Sequence, residues 1–173
     1  MPASISEIQP HFSFDEAKSA YDQWGANCGP GALAAIVGLS LDEIRPLMGD
    51  FESKGYTNPK LMIDCLKRVQ VFYVQLKPAV WPMFGLARIQ WIGPWMKEGV
   101  PMRARYRHTH WVGTARINGD RGVFDINCMN NGSGWVSFDE WASLIAPFLA
   151  KGSHSKATGE WSLTHGIEVR TEN

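Results

Sequence analysis

Apolar residues recur at helical spacing early in the chain and alternate with polar ones late, so helices are expected first and strands afterwards. Phe14 to Gln23 is a short amphipathic run opened by Ser13, with Glu16 three residues on as its capping-box partner. A second helix is expected from Cys28 through the small-residue run Gly-Pro-Gly-Ala-Leu-Ala-Ala-Ile-Val, stopping at Gly38. Ser40 then caps Leu41 to Met48, and Gly49 to Asn58 is expected to be a loop. The next helix, Pro59 to Val69, has apolar residues at positions 61, 62, 65, 66 and 69.

Val71 to Leu76 is expected to be a strand. The aromatic stretch Trp81 to Gly99, broken by Pro82, Gly93 and Pro94, predicts a loop and about two turns of helix near Trp91 to Lys97. From Pro101 the period becomes two, with turn signals at Asn118-Gly119-Asp120 and Asn130 to Gly134. These predict an antiparallel meander over 101–107, 109–117 and 121–128. In such strands Met102, Ala104, Tyr106, His108 and His110 share one face, and Arg103, Arg105 and Arg107 share the other. The arginine face is either solvated or a docking stripe for an acidic partner. Ser137 and Glu140 mark the start of a last helix from Phe138, and Trp161 to Arg170 adds a strand. The fold class is therefore α+β, and no internal repeat interrupts it.

Composition adds bounds. A chain of 173 residues, 45% of them apolar, suits a single domain over 1–173 with its own core. A formal net charge of zero argues against bulk electrostatic binding to nucleic acid or to an anionic membrane. The longest apolar stretches, Gly31 to Leu41 and Ser143 to Ala150, fall short of the roughly 18 residues a membrane span needs. The N-terminus has neither a basic start nor an apolar run, so no secretory signal is visible and a cytoplasmic location is expected.

Cys28, Cys65 and Cys128 form no C-x-x-C pair and fit reduced thiols better than a disulfide framework. Cys65 falls on the apolar face of its helix. Cys128 shares strand parity with Phe124 and Ile126, opposite Val123, Asp125 and Asn127, so both cysteines are expected in packing. Cys28 differs because it stands in the first turn of a helix. The N–H groups there have no internal partner and favour a thiolate over a thiol whose free pKa is about 8.5.

The strand half supplies partners for such a thiol. His108 and His110 lie two apart in Arg107-His108-Thr109-His110-Trp111-Val112, and one of them can act as general base. The short turn at 118–120 folds the following strand back so that Asp125 neighbours His110, where it would orient the imidazole. His108, His110 and Asp125 also match a zinc ligand set, a reading that leaves the helix-start cysteine without a role. No metal or other cofactor is therefore expected.

Together these landmarks resemble the C39-like branch of the papain-like cysteine peptidases. The matching features are Gln23 upstream of Asn27-Cys28-Gly29-Pro30, Gly55 and the helix with Leu61, His110-Trp111-Val112, Asp125, Gly134-Trp135 and the Phe138 to Trp141 helix. They keep their order over about residues 20–150. The resemblance implies a papain-like fold, with an N-terminal helical half packed on a C-terminal antiparallel β-sheet and the site in the cleft between them. It implies Cys28 as nucleophile, His110 as base, Asp125 as orienter and Gln23 as oxyanion-hole donor; a plainer role for Gln23 is as a polar residue closing a helix. Here Asp125-Ile126-Asn127 replaces the family's usual Asp-Pro, which makes Asn127 a rival orienter, as His108 rivals His110. Trp111 and Trp135, with Asn127 and His108, are the candidates for contact with substrate. No transporter segment of the kind that accompanies double-glycine leader peptidases is present, so that substrate preference is not expected to carry over.

The expected function is cleavage of peptide or isopeptide bonds in a peptide or protein substrate through an acyl-enzyme. Glutamine deamidation or acyl transfer by the same triad is the enzymatic alternative, and a non-catalytic binding scaffold is the other.

Overall fold

The capping signals at Ser13 and Ser40 each open a helix, with both halves of a capping box formed. A computed structural model describes residues 4–170; the ends of the 1–173 domain expectation lie outside the described residues. Its helices are α1 (Phe14–Trp24), α2 (Cys28–Val37), α3 (Leu41–Ile44), α4 (Phe51–Lys54), α5 (Pro59–Arg68), α6 (Met102–Arg105), α7 (Phe138–Glu140) and α8 (Ala146–Ser153). The strands are β1 (Phe72–Gln75), β2 (Phe84–Trp91), β3 (Thr109–Ile117), β4 (Asp120–Phe124), β5 (Trp135–Ser137) and β6 (Trp161–Arg170). The α+β expectation holds. All six strands form one antiparallel sheet in the order β1-β6-β2-β3-β4-β5, with the C-terminal strand inserted between β1 and β2.

Both faces of the sheet are covered. Leu86, Trp111, Ala115, Phe124 and Ile167 point into a core shared with α1, α2 and α5. Ala87, Ile89, Trp91, Val112 and Val123 point the other way, against Trp95, Trp141, Ala146 and Ala150. The helical half therefore covers only one side, and the C-terminal helix covers the other. Asn118 and Gly119 both take positive φ in a two-residue turn, which pairs Ile117 with Asp120 and fixes the β3–β4 register.

Four expectations need correction. The 81–99 stretch contains β2, a central strand, and only one 3-10 turn at Pro94–Met96. Being buried on both faces, β2 shows no alternation to read. Residues 101–107 hold α6 and not a strand, so the arginine stripe inferred from strand parity does not exist. The loop expected at 49–58 contains α4. Finally, β4 stops at Phe124: the Asp125 side chain accepts the Asn127 N–H at 3.0 Å and the chain turns into a 3-10 segment, Ile126–Asn131. The parity inferred for Asp125 to Cys128 is lost with it.

Candidate active site

Cys28 opens α2 and is half-buried. The first intrahelical bond of α2 runs from Gly31 N–H to Asn27 O, so the N–H groups of Cys28 and Gly29 precede the hydrogen-bonded ladder. The small residues of α2 let neighbours approach its first turn closely. The Thr57 side chain occupies the space where a Cβ on Gly29 would lie, and Ile126 does the same at Gly31. Thr57 also accepts the Trp111 indole N–H at 3.0 Å, so one buried residue ties the start of α2 to β3. Gly29→Ala is expected to cost about 1–3 kcal/mol through overpacking, read as a melting temperature lower by several degrees. An unchanged melting temperature would mean that Thr57 gives way freely.

His110 enters from β3, 7% exposed, with its ring stacked on Trp91 at 5.5 Å between centroids. Its Nε2 donates to Asp125 Oδ2 at 2.8 Å, which leaves Nδ1 as the nitrogen available to the thiol. Asp125 is fully buried at the end of β4, yet all its acceptor capacity in use is satisfied. Oδ2 also accepts the Trp141 indole N–H at 2.9 Å, and Oδ1 accepts the backbone and side-chain N–H groups of Asn127, both at 3.0 Å. Four donors on one buried carboxylate keep it ionised and fixed.

The electrostatics follow from this geometry. Burial alone disfavours the Asp125 carboxylate, but the charge and hydrogen bond of His110 and the Trp141 bond outweigh it and hold its pKa below the usual range. Burial likewise opposes the imidazolium, but Asp125 and then the Cys28 thiolate raise His110 to about 10. Burial pushes the Cys28 thiol up, and hydrogen bonding to His110, its charge and the backbone N–H of Trp111 more than reverse the effect, leaving it below the ordinary thiol value. The other two thiols have no such help: burial lifts Cys65 to about 11 and Cys128 to about 12. All three are free cysteines.

The structure thus brings together Cys28, His110 and Asp125. Asn127 does not face His110; it donates to Asp125 and positions the carboxylate. His108 lies just before β3, where its ring stacks on Trp95 at 3.7 Å and meets His154 edge-on at 5.1 Å. The two histidines therefore have separate surroundings, and the zinc set is not assembled; among the described residues no group of three His, Cys, Asp or Glu side chains could hold a metal. Gln23 is a further correction. Because α1 buries Ala17, Ala20 and Trp24, Gln23 turns to the exposed side, where it donates to Ser19 Oγ at 3.0 Å and accepts from Arg45 at 3.0 Å. Its amide is committed there and not to an oxyanion at Cys28. Trp111 and Trp135 are core residues, 2% and 5% exposed, and Trp135 also edges a surface cavity with Ile5, Arg121 and Phe138, whose lining includes none of Cys28, His110 and Asp125.

Sequence reasoning missed Trp141, Thr57 and Arg88. Trp141 begins a π-helical turn, Trp141–Ile145, inside the last helix. A buried indole needs an acceptor, but nothing in the local pattern says that the acceptor is sixteen residues back in the chain. Arg88 carried a visible signal, a lone charge within the apolar run Phe84 to Trp91.

No protein-family model matches the chain, and a search of curated proteins finds no match.

Proposed function

We propose that this chain is a thiol hydrolase of the papain-like, C39-like type, acting on peptide or isopeptide bonds. One observation carries the reading: a helix-start thiol with a lowered pKa beside an imidazole that a buried, fourfold-bonded carboxylate holds in place. The Cys28 thiolate attacks the carbonyl carbon, and the backbone N–H of Cys28 stabilises the oxyanion. The His110 imidazolium gives its Nδ1 proton to the leaving amine, which departs and leaves a thioester. His110, now neutral, takes a proton from water as the water attacks the thioester. Collapse of that adduct releases a carboxylic acid and restores the thiolate–imidazolium pair. Throughout, Asp125 keeps its charge and fixes the imidazole.

Three free cysteines suit a reducing compartment, which fits a cytoplasmic protein. Among the described residues no helix is long and apolar enough to cross a membrane.

The reading is tested by incubating the protein with a mixed peptide pool and mapping new termini by mass spectrometry, with Cys28→Ala as control. Cleavage present in the wild type and absent in the variant is the expected result. Glutamine deamidation or amine transfer dependent on Cys28 would replace hydrolysis with acyl transfer. Absence of any Cys28-dependent product would overturn the enzymatic reading.

A further inference from the structure

Arg88 is a buried cation without a matching anion. It lies in the middle of β2, paired with Trp111 of β3, and is 2% exposed. Strand alternation places it with Leu86 on the face that packs against α2, the helix bearing Cys28. Its guanidinium sits over the Tyr106 ring at 4.6 Å and reaches Thr109 Oγ1 only at 3.5 Å, and its Nε has no hydrogen-bond partner. Among the described residues no carboxylate forms an ion pair with it. The Cys28 thiolate does feel its charge, without a hydrogen bond between them.

A guanidinium taken out of water normally has a carboxylate or phosphate on its fork, because burial of an unpaired charge is strongly unfavourable. Here the fork is left partly unused on the sheet face beneath the start of α2. Tyr106, whose ring faces the guanidinium, is 39% exposed, and Thr109 Oγ1 donates to Tyr106 O at 3.0 Å. The same segment is anchored by Gln90, whose buried amide donates to the carbonyls of Arg105 and His108 at 3.0 and 3.1 Å. A cation with unused donors, on a strand paired with Trp111 and within electrostatic reach of the Cys28 sulfur without bonding to it, is suited to a group next to the scissile bond and not to the bond itself.

We infer that Arg88, faced by Tyr106 and Thr109, is a carboxylate-binding subsite, and that the favoured substrates carry a carboxylate beside the bond attacked by Cys28. This rests on the reading of Cys28 as nucleophile. The carboxylate can be an acidic side chain or the terminal carboxylate of a peptide, and both present the planar oxygen pair that a guanidinium fork binds.

The test compares alkylation of Cys28 by iodoacetate and iodoacetamide, followed by mass mapping. In both reactions the Cys28 sulfur bonds to the methylene carbon and iodide leaves, so the reagents differ only in the charged group that Arg88 would bind. The acetate-to-acetamide rate ratio at Cys28 is expected to exceed that of free cysteine by about 10–100-fold, the worth of a charge-assisted hydrogen bond. Arg88→Met is expected to lower that ratio by at least about tenfold, while His110 contributes its charge in both proteins. A ratio unchanged by Arg88→Met, or equal to that of free cysteine, overturns the subsite and leaves the nucleophile intact. If Cys28 reacts with neither reagent faster than Cys65, the nucleophile and the subsite both fall.

Protection of the wild type answers the same question without a variant. N-acetylglutamine and the α-amide of N-acetylglutamate carry, respectively, only a terminal and only a side-chain carboxylate, and the α-amide of N-acetylglutamine carries neither. Slower iodoacetamide labelling with one of the acids, relative to the neutral compound, is expected and identifies the source of the carboxylate. Equal labelling with all three overturns the inference.

Discussion

Asp125→Ala is expected to lower stability by about 3–5 kcal/mol, because it strands a buried imidazolium, a buried indole N–H and the Asn127 donors at once. For a chain of this length that corresponds to a fall in melting temperature of about 10 °C or more. The effect depends on pH in a defined sense. Asp125 titrates below its ordinary value, so its contribution is present above about pH 4 and is lost as the pH falls through the lowered value. His110 titrates at about 10, above its ordinary value, so its contribution is complete below about pH 6.5 and fades as the pH rises toward 10. These are two ends of one interaction. The gap between wild type and variant should therefore be widest between about pH 4 and 6.5 and should narrow in alkali. Thermal melts across that range check it, and a gap below about 1 kcal/mol at pH 6 would mean that the carboxylate is not holding a charged imidazole.

His110→Ala is expected to reduce alkylation of Cys28 near pH 6 by about 100-fold or more, since an ordinary thiol is well under 1% ionised there. The cause is specific. Burial pushes the Cys28 thiol up, and the hydrogen bond and charge of His110 are the largest of the influences that pull it down. Without His110 the sulfur keeps the burial and loses the compensation. Cys65 and Cys128, already raised to about 11 and 12, should label slowly in both proteins. His108→Ala should leave Cys28 reactive, because that ring lies against Trp95 and His154.

Several parts of this architecture were legible in the sequence because their causes are local. Ser13 announces its helix through a capping box that needs only four residues to define, and Ser40 announces its own as a cap. The Asn118-Gly119 pair announces the hairpin that carries Asp125 back toward His110. The juxtaposition of Cys28, His110 and Asp125 follows from that hairpin and from the start of α2. What was not legible depends on burial from both sides or on distant partners. β2 hid because its two faces serve two cores, which leaves an apolar run in place of an alternation. The 101–107 segment mimicked a strand by alternating, while Pro101 and the Gln90 anchor allow it a helical turn. Gln23 was misplaced because its role came from its position relative to Cys28, whereas α1 continues to Trp24 and its apolar face decides where Gln23 points. Trp111 and Trp135 are both core residues, which depends on the packing of the sheet and not on their place in the sequence.

The proposed function requires Cys28 and His110 to exist as a thiolate–imidazolium pair oriented by Asp125. The most direct measurement is limited alkylation of the wild-type protein with iodoacetamide at a series of pH values from 5 to 9, with mass mapping of the three cysteines. Cys28 is expected to be labelled far faster than Cys65 and Cys128 and to retain its rate into the acid range, below where free thiols react. Equal labelling of the three, or a Cys28 rate that rises only through the ordinary thiol range, would contradict it.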